Sequence, residues 1–367
     1  MDEKEYKQTH SVYIHIPFCN KICSYCDFCK MFYNSNLSDK YLDELKREID
    51  KNYLGEEINT IYIGGGTPSC LLENQIKKLL EIIKKFNIKN LEYTIECNIE
   101  DINEDKLKIF KQYGINRISI GVQSLNDRHI KFLNRNHNQD IVKNRIEIVK
   151  KYFDNINIDL IYALPNQTLD ELLNDLNFII NLGVSHISTY SLIIEENTKL
   201  FIDNISNIDE DIDYKMYNLI CDKLEKNGYI HYEVSNFSKP GYESKHNLVY
   251  WNNERYYGFG LGASGYIQNI RYENTRSIKK YLNGNYILKQ HNLNLKEIIE
   301  NEFILGFRKI KGINKKSFYD KYSINLCDLD IIKKLLKSND IIDDGENIFI
   351  NKNRIYTEND ILINFID

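Results

Sequence analysis

The sequence has little of what marks a membrane, secreted or nucleic-acid-binding protein. It has only four prolines and one tryptophan, and no apolar stretch approaches the roughly 20 residues that a membrane-spanning helix needs. The first eleven residues, MDEKEYKQTHS, carry charges of both signs and lack the apolar core of a signal peptide. The net charge of −5 gives no electrostatic case for binding nucleic acid. These absences predict a cytoplasmic protein.

The chain has 367 residues, which is long for one hydrophobic core and predicts a large domain with a smaller one. Apolar, β-rich segments begin near residues 12, 60, 93, 117, 156 and 186, and segments with helical spacing lie between them, as at 38–52 and 73–86. Strands that are almost continuously apolar and alternate with helices predict a parallel sheet covered on both faces. Six such units predict an α/β fold built on a partial (β/α)₆ barrel.

Three regions are predicted along the chain: a barrel core at 1–201, a less regular extension at 202–284, and a C-terminal module at 285–367. The module reads as short helices followed by a hairpin with Asp344-Gly345 at its turn. This pattern predicts a small α+β module of winged-helix type.

Four cysteines lie within eleven positions of the segment YIHIPFCNKICSYCDFCK, directly after the first predicted strand. In a reducing compartment such a group indicates metal binding rather than disulfides. The spacing Cys19-x₃-Cys23-x₂-Cys26 fits one iron–sulfur cluster with one iron left open. A structural zinc that also uses Cys29 is the alternative, although zinc ligands typically come as two separated pairs. The remaining cysteines are expected to be small buried residues: Cys70, Cys97, Cys221 and Cys327.

Three consecutive predicted strands each carry a polar side chain: Glu96 at the end of the third, Gln123 at the end of the fourth and Asp159 in the fifth. A lone polar residue at a strand end is usually a solvated rim residue, but three at one mouth of a barrel favour a binding site. The GGGTP segment at 64–68 predicts a tight turn that lets a ligand approach the backbone. Arg135 can offer a planar fork to a carboxylate, although alone it reads as an ordinary surface arginine.

The cysteine spacing after a first strand resembles the radical S-adenosylmethionine (SAM) superfamily. The longer string YIHIPFC…CSYCDF is similar to its oxygen-independent coproporphyrinogen III oxidase-like branch, which includes the HemW-type heme chaperones. The resemblance covers almost the whole chain. It implies that Cys19, Cys23 and Cys26 bind a [4Fe–4S] cluster whose open iron is chelated by the amino and carboxylate groups of SAM. Cys29 departs from the dehydrogenase pattern, where a further cysteine comes two positions after the third, and is interpreted as a neighbour of the cluster.

The resemblance also implies a set of SAM contacts on the strand ends and the cysteine loop. Ile99 stands where relatives commonly have proline, a departure that affects backbone shape more than chemistry. The implied SAM-binding residues are Tyr13, Tyr25, Gly65, Gly66, Thr67, Glu96, Gln123, Arg135 and Asp159.

Three features separate the heme chaperones of this branch from its coproporphyrinogen dehydrogenases. Only twelve residues precede Tyr13, so we expect no N-terminal segment to enclose a porphyrinogen, and CSYCDF lacks the Cys-x-Cys step. The string HNLVYW at 246–251 resembles the His-Asn-x-x-Tyr-Trp motif of HemW-type chaperones. Histidine is a standard axial ligand of heme iron, and aromatic rings offer flat surface to a macrocycle; the alternative is a hydrogen-bonded histidine beside packed aromatics. The implied heme-binding residues are His246, Asn247, Tyr250 and Trp251.

The resemblance therefore implies a heme chaperone that binds a [4Fe–4S] cluster, SAM and heme and delivers heme to apo-hemoproteins. It also implies respiratory, membrane-associated recipients reached by contact with the inner face of the membrane, and a homodimer. The alternative is an enzyme that uses a SAM-derived radical to convert two propionates of coproporphyrinogen III to vinyl groups. A barrel that only binds ligands is a third reading. No catalytic residue is assigned.

Overall fold

The computed structural model describes residues 8–366. Its strands and helices follow the alternation that the sequence predicts, with further strands in the second half of the chain. The strands, in chain order, are Thr9–Ile16 (β1), Phe18–Cys19 (β2), Met31–Phe32 (β3), Glu57–Gly65 (β4), Asn87–Asn98 (β5), Arg117–Gln123 (β6), Asn155–Tyr162 (β7), His186–Ser191 (β8), Ile230–Glu233 (β9), Asn236–Ser238 (β10), Arg255–Phe259 (β11), Ser264–Ile267 (β12), Ile270–Asn274 (β13), Ile287–Asn292 (β14), Ile313–Asn314 (β15), Ile341–Asp343 (β16) and Asn347–Ile350 (β17).

Helices separate most of these strands. They are Ser35–Asn52 (α1), Glu73–Ile83 (α2), Glu104–Gln112 (α3), Asp127–Phe132 (α4), Gln139–Lys150 (α5), Leu169–Leu182 (α6), Lys199–Ile202 (α7), Glu210–Lys226 (α8), Lys245–Trp251 (α9), Ile278–Tyr281 (α10), Leu295–Gly306 (α11), Lys315–Tyr322 (α12), Asp330–Lys337 (α13) and Glu358–Leu362 (α14).

One twelve-stranded sheet organises the fold, in the order β14-β13-β12-β11-β1-β4-β5-β6-β7-β8-β10-β9. Its central strands β1, β4, β5, β6, β7 and β8 are mutually parallel and are the six strands predicted from the sequence. Helices connect the successive strands from β1 to β8, so the predicted α/β fold of six β/α units is confirmed. All of the described helices are too short or too polar to cross a membrane.

The region predicted as a less regular extension widens the sheet on both sides. Strand β11 pairs in parallel with β1, and β12 and β13 continue from it as antiparallel strands. At the other edge, β10 pairs antiparallel with β8, and β9 follows. Strand β14 lies beyond residue 284, the predicted end of the extension, but it pairs with β13 and so continues the same sheet. The three-region division of the chain stays a prediction.

Local sequence explains where the helices around the barrel begin and end. Helix α6 starts at a capping box in which the Thr168 hydroxyl accepts from the Glu171 amide and the Glu171 carboxylate accepts from the Thr168 amide. It stops at Gly183, whose φ of 67° suits a residue without a Cβ. The N-cap residue of helix α1 is Asn34, whose side-chain oxygen accepts a hydrogen bond from the Leu37 amide.

Side chains of the parallel strands alternate between two environments. The outward side chains are large and apolar, and Ile95, Ile118 and Ile158 are fully buried in the hydrophobic core. The next position along the strand faces inward and is polar, as at Glu96 and Ser119. Because successive strand residues point to opposite faces, a polar lining on the inside of a curved sheet is compatible with an apolar core outside it. This alternation places the chemistry of the protein inside the barrel.

The C-terminal module contains the predicted hairpin, formed by β16 and β17, with β15 added on the other side of β17. Gly345, at the turn, has φ 99°. Cys70, Cys97 and Cys221 are buried as predicted, but the expectation for Cys327 is wrong. Cys327 is half-buried because it lies in a surface turn, with its Sγ 3.6 Å from a carboxylate oxygen of Asp343.

Candidate functional site

A cavity of about 360 Å³ lies inside the curved sheet, with the cysteine loop (residues 19–30) in its wall. Most of the sequence-predicted residues in that wall come from the loop and from β4 to β7, while Arg135 follows helix α4 and Asn247 lies on α9. They are Cys19, Cys23, Cys26, Tyr25, Gly65, Gly66, Thr67, Glu96, Gln123, Arg135, Asp159 and Asn247. Residues from separate units are thus brought together, as expected for the C-terminal ends of barrel strands.

The cysteine loop is tied down at its base and at its tip. At the base, the Met31 amide donates to the carbonyl of Pro17 over 2.7 Å and the Tyr33 amide donates to the carbonyl of Cys19 over 2.9 Å. At the tip, the Ser24 amide donates to the Leu133 carbonyl over 3.2 Å. The loop is therefore held over the strand ends before any ligand binds.

The surroundings of the thiols suit an iron–sulfur cluster. The Thr67 hydroxyl lies 3.5 Å from Cys19 Sγ, and Arg135 Nη1 lies 3.7 Å from Cys23 Sγ. Such donors stabilise thiolate sulfur and tune a bound cluster. Gly66 keeps space open, since a Cβ there would lie 3.0 Å from Cys19 Sγ. Three soft sulfur donors in one cavity wall, with a hydrogen-bond donor beside two of them, fit the cluster that the sequence predicts.

Within residues 8–366, no group of three or more His, Cys, Asp and Glu side chains is arranged to hold a single metal ion. Burial raises the pKa of the Cys19 thiol to about 11, and burial also raises the pKa of Cys26. Metal binding at these sulfurs therefore releases protons.

Cys29 does not contribute to the cavity wall described above. Its backbone carbonyl accepts a hydrogen bond of 2.7 Å from His15 Nε2. Its side chain packs so closely on Gly262 that a Cβ at that glycine would lie 2.6 Å from the Cys29 Cβ. Its interpretation as a neighbour of the cluster stays a prediction.

The glycine turn after β4 joins this strand to the start of the cysteine loop. The Gly66 amide donates to the Ile16 carbonyl and the Thr67 amide donates to the Phe18 carbonyl, each over 2.8 Å. Gly65 has φ 111°, and a Cβ there would lie 2.5 Å from the His15 ring. A side chain at Gly65 is therefore excluded by backbone conformation and by space.

Two carboxyl groups, of Glu96 and Asp159, face the cavity. Glu96 accepts hydrogen bonds of 2.7 Å from the Tyr62 hydroxyl and 3.1 Å from the Gly65 amide. Burial raises the pKa of Glu96 to about 7, although these hydrogen bonds oppose the shift. Burial also raises the pKa of Asp159, whose Oδ1 accepts a hydrogen bond of 2.8 Å from the side-chain Nδ2 of Asn157. Both carboxyl groups line the cavity, so a positively charged ligand bound there would favour their ionised form.

Arg135 connects several parts of the wall and is only 7% exposed. Its guanidinium donates to Asn98 Oδ1 over 2.8 Å and to the Gly121 carbonyl over 2.6 Å, and it pairs with Glu100 over 3.2 Å. Burial alone would raise the pKa of Glu100, but the hydrogen bond from His137 and the charge of Arg135 lower it to about 2. Arg135 is thus a buried ion-paired residue and not a surface arginine.

Tyr13 is not among the residues that line the cavity but lies beside Tyr62, its partner in the neighbouring strand. Its hydroxyl is 3.0 Å from His15 Nδ1, and its ring stacks on the ring of Tyr62 with centroids 6.2 Å apart. The wall at this point is formed by Tyr62. Tyr13 therefore supports the residue that holds Glu96.

The four predicted heme-binding residues all lie on α9, and one of them, Asn247, reaches the cavity wall. His246 is 1% exposed; its Nδ1 lies 2.8 Å from the Thr60 hydroxyl and its Nε2 lies 2.8 Å from the Tyr250 hydroxyl. Burial lowers its pKa to about 3, so the ring is neutral. The Trp251 ring is half-buried and its Nε1 has no hydrogen-bond partner within residues 8–366. Both ring nitrogens of His246 are engaged in this conformation.

Several cavity residues were missed in the sequence, although strand alternation could have found them. Asn98 follows Glu96 by two positions, and Asn157 precedes Asp159 by two. Arg117 and Ser119 precede Gln123 by six and four. All four line the cavity. Because side chains two apart share a face of a strand, each predicted strand-end residue implied these neighbours.

Comparison with known proteins agrees with this architecture. The family model of the Radical SAM superfamily matches residues 13–179. The chain is 42% identical over 326 residues to the heme chaperone HemW of Lactococcus lactis, covering 86% of each chain. It is 40% identical to the heme chaperone HemW of Bacillus subtilis, covering 86% of this chain and 88% of that one. Among solved structures, Escherichia coli coproporphyrinogen III oxidase (HemN) superposes with a TM-score of 0.85 at 21% identity, covering 99% of this chain and 91% of that one.

The structural likeness to HemN, at this identity, shows the fold that the two proteins share. The relatives at 40% identity and above span most of both chains, and the superfamily model covers the cysteine loop and the strands from the second half of β1 to β7. This chain belongs to the HemW heme chaperone family, within the radical SAM superfamily.

Proposed function

We propose that this chain is a heme chaperone that binds a [4Fe–4S] cluster, SAM and heme and delivers heme to apo-hemoproteins. The observation that carries the proposal is the convergence of three thiols from one loop with polar groups from four strand ends in one cavity wall. When bound, the cluster supplies an open iron for SAM and an electron. The curated relatives, named as heme chaperones, supply the reason to choose heme as the cargo.

Different residues of the cavity wall would bind the cluster and SAM. Cys19, Cys23 and Cys26 supply the sulfur ligands, and Thr67 and Arg135 donate toward the sulfurs of the first two. The polar groups of the strand ends and the glycine turn form the SAM pocket. We assign to that pocket Tyr25, Gly65, Gly66, Thr67, Glu96, Gln123, Arg135 and Asp159, with Tyr13 beside it.

Heme is assigned to the face of the barrel that α9 covers. Asn247 already reaches the cavity, whereas His246 must release Tyr250 before Nε2 can coordinate iron. Tyr250 and Trp251 supply aromatic surface beside it. A homodimer and contact with the inner face of the membrane accompany the proposal as expectations.

A heme-transfer experiment tests the function. The protein, reconstituted anaerobically with iron and sulfide, is loaded with one equivalent of heme and mixed with an apo-globin, with and without SAM. We expect the globin spectrum to appear faster than from free heme treated identically. The same preparation is then incubated with coproporphyrinogen III, SAM and a reductant. Vinyl-bearing product, or the absence of heme transfer, would contradict the proposal.

Affinity for SAM is expected to depend on pH through Glu96. SAM carries a positive sulfonium, which an ionised carboxylate attracts, and the pKa of Glu96 is about 7. Ionisation of this group between pH 6 and pH 8 should therefore tighten SAM binding by up to about tenfold. Glu96→Gln should flatten the profile, measured by calorimetry on reconstituted protein.

Glu48→Gln is the matched control for this titration. Burial raises the pKa of Glu48 to about 7 as well, but this carboxylate binds Tyr281 and Asn274 behind the sheet. Its replacement should leave the pH profile of SAM binding unchanged. A profile that Glu96→Gln does not alter would remove Glu96 from the SAM site.

Two variants of α9 should change heme affinity in opposite directions. His246→Ala removes the proposed iron ligand and should abolish the shift of the Soret band that marks axial coordination. Tyr250→Phe keeps the aromatic ring but frees His246 Nε2, so heme should bind more tightly, by roughly fivefold for one hydrogen bond. Both are read by heme titration in the visible range. A Soret band that His246→Ala leaves unchanged would make His246 a structural residue.

A further inference from the structure

Arg117, the first residue of β6, is a buried arginine in the cavity wall. It is 2% exposed and lines the same cavity as the cysteine loop. Within residues 8–366, its Nε has no hydrogen-bond partner and no carboxylate forms an ion pair with its guanidinium. A buried guanidinium cannot lose its charge, so it is costly to keep unless an anion completes it.

The carboxyl groups of the cavity are engaged elsewhere. Glu96 is bound by Tyr62 and the Gly65 amide, and Asp159 is bound by Asn157. The residues paired with Arg117 in the neighbouring strands are neutral: Thr94 in β5 and Asn155 in β7. Both have a buried side-chain oxygen without a hydrogen-bond partner, Thr94 Oγ1 and Asn155 Oδ1. This level of the barrel therefore combines unpartnered polar atoms with a guanidinium that no carboxylate contacts within residues 8–366, although its charge opposes the rise in the pKa of Glu96 and Asp159.

The carboxylate of SAM is not the anion that this position fits. Superfamily chemistry directs that carboxylate to the iron held by the cysteine loop, at the C-terminal ends of the strands. Arg117 is at the opposite end of β6, six positions from Gln123, which corresponds to about 20 Å along the strand. A different carboxylate is required at the floor of the cavity.

The cargo of the proposed function supplies such a group. Heme carries two propionate carboxylates as well as iron. Arg117 is paired in register with Thr94, which is paired with Tyr62, so the three residues lie at one level of neighbouring strands. The ring of His246 stacks on the ring of Tyr62, with centroids 5.2 Å apart. A proposed iron ligand and a guanidinium fork are therefore neighbours, as recognition of a metal and a side-chain carboxylate of one macrocycle requires.

We propose that Arg117 binds a propionate carboxylate of the heme cargo at the floor of the barrel. The proposal rests on the heme-chaperone function and adds a recognition element for the porphyrin side chain. Arginine suits this role because its planar fork donates two parallel hydrogen bonds to one carboxylate.

The experiment compares heme with its dimethyl ester, in which both propionates are uncharged. Wild type, Arg117→Met and Arg117→Lys are titrated with each ligand, and SAM binding is measured on the same preparations. We expect wild type to prefer heme over the ester by roughly 10- to 100-fold, as for a hydrogen-bonded charged group. The Arg117→Met variant should bind heme only as tightly as it binds the dimethyl ester. Its affinity for the ester should equal that of wild type. Arg117→Lys keeps the positive charge but loses the planar fork, so its preference for heme over the ester should be intermediate. This variant provides the test if Arg117→Met does not fold.

Arg145→Met, on helix α5 and outside the cavity wall, is the matched control and should keep the wild-type preference. A heme-to-ester ratio that survives in both Arg117 variants overturns the inference and leaves the chaperone function intact. Reduced SAM affinity with an unchanged ratio assigns Arg117 to SAM and also overturns it. If wild type binds neither porphyrin, the proposed function fails, and this inference with it.

Discussion

Replacing Cys19, Cys23 and Cys26 together with serine is expected to abolish the brown colour and visible absorbance of the reconstituted protein. Serine oxygen is a hard ligand that does not replace thiolate in an iron–sulfur cluster. Each of these thiols lines the cavity, so their loss leaves the open side of the SAM pocket without its metal. The measurement is the visible spectrum, together with iron and sulfide content after anaerobic reconstitution.

Cys29→Ser is the matched control, because Cys29 belongs to the same loop but packs on Gly262 outside the cavity wall. It should retain wild-type colour and iron content. Absorbance that persists in the triple variant would refute the assignment of the loop. A colourless wild-type protein with stoichiometric zinc would favour the structural zinc instead, and loss of the cluster in Cys29→Ser would make that cysteine a ligand.

Arg135→Met is expected to destabilise the metal-free protein by about 3 kcal/mol, the lower end of the range for breaking a buried ion pair, because the carboxylate of Glu100 is partly exposed. The replacement leaves the carboxylate of Glu100 without its cation, and it leaves Asn98 Oδ1 and the Gly121 carbonyl without their donors. Urea unfolding at pH 7 measures the change in the free energy of unfolding.

The same variant should change how stability depends on acid. The pKa of Glu100 is about 2 in the folded protein against 4.5 as its ordinary value, so its contribution is complete above pH 4.5. That contribution is lost as the pH falls from about 4.5 to about 2. The destabilisation caused by Arg135→Met should therefore shrink across this window, because protonated Glu100 no longer needs the guanidinium.

Arg117→Met is a matched control from the same cavity. Both arginines are buried, but Arg117 has no ion-pair partner within residues 8–366. Its replacement by an apolar side chain of similar length should leave the free energy of unfolding unchanged or increase it. Equal destabilisation by both substitutions would mean that burial alone, and not pairing, accounts for the effect at Arg135.

Spacing along the chain was enough to predict the parallel strands and the cysteine loop. The spacing of apolar residues that distinguishes strands from helices can be read from neighbouring positions in the sequence. Three cysteines within eight residues are close enough along the chain to bind one cluster, whatever the tertiary structure. The strand-end residues Glu96, Gln123 and Asp159 were also predictable, because parallel strands end at the same edge. The position of Tyr13 beside Tyr62 was not, since both lie on neighbouring strands and only packing decides which one faces the cavity.

The environment of each charged or ligating side chain depended on the tertiary structure. The sequence by itself determined the α/β order, the superfamily resemblance and which residue types could bind metal. Only the fold decided that Arg135 is ion-paired, that Arg117 is not, and that His246 has both nitrogens occupied. The physical reason is that hydrogen-bond partners and desolvation come from residues distant in sequence, such as Thr60 for His246, and these set the charge and availability of a group.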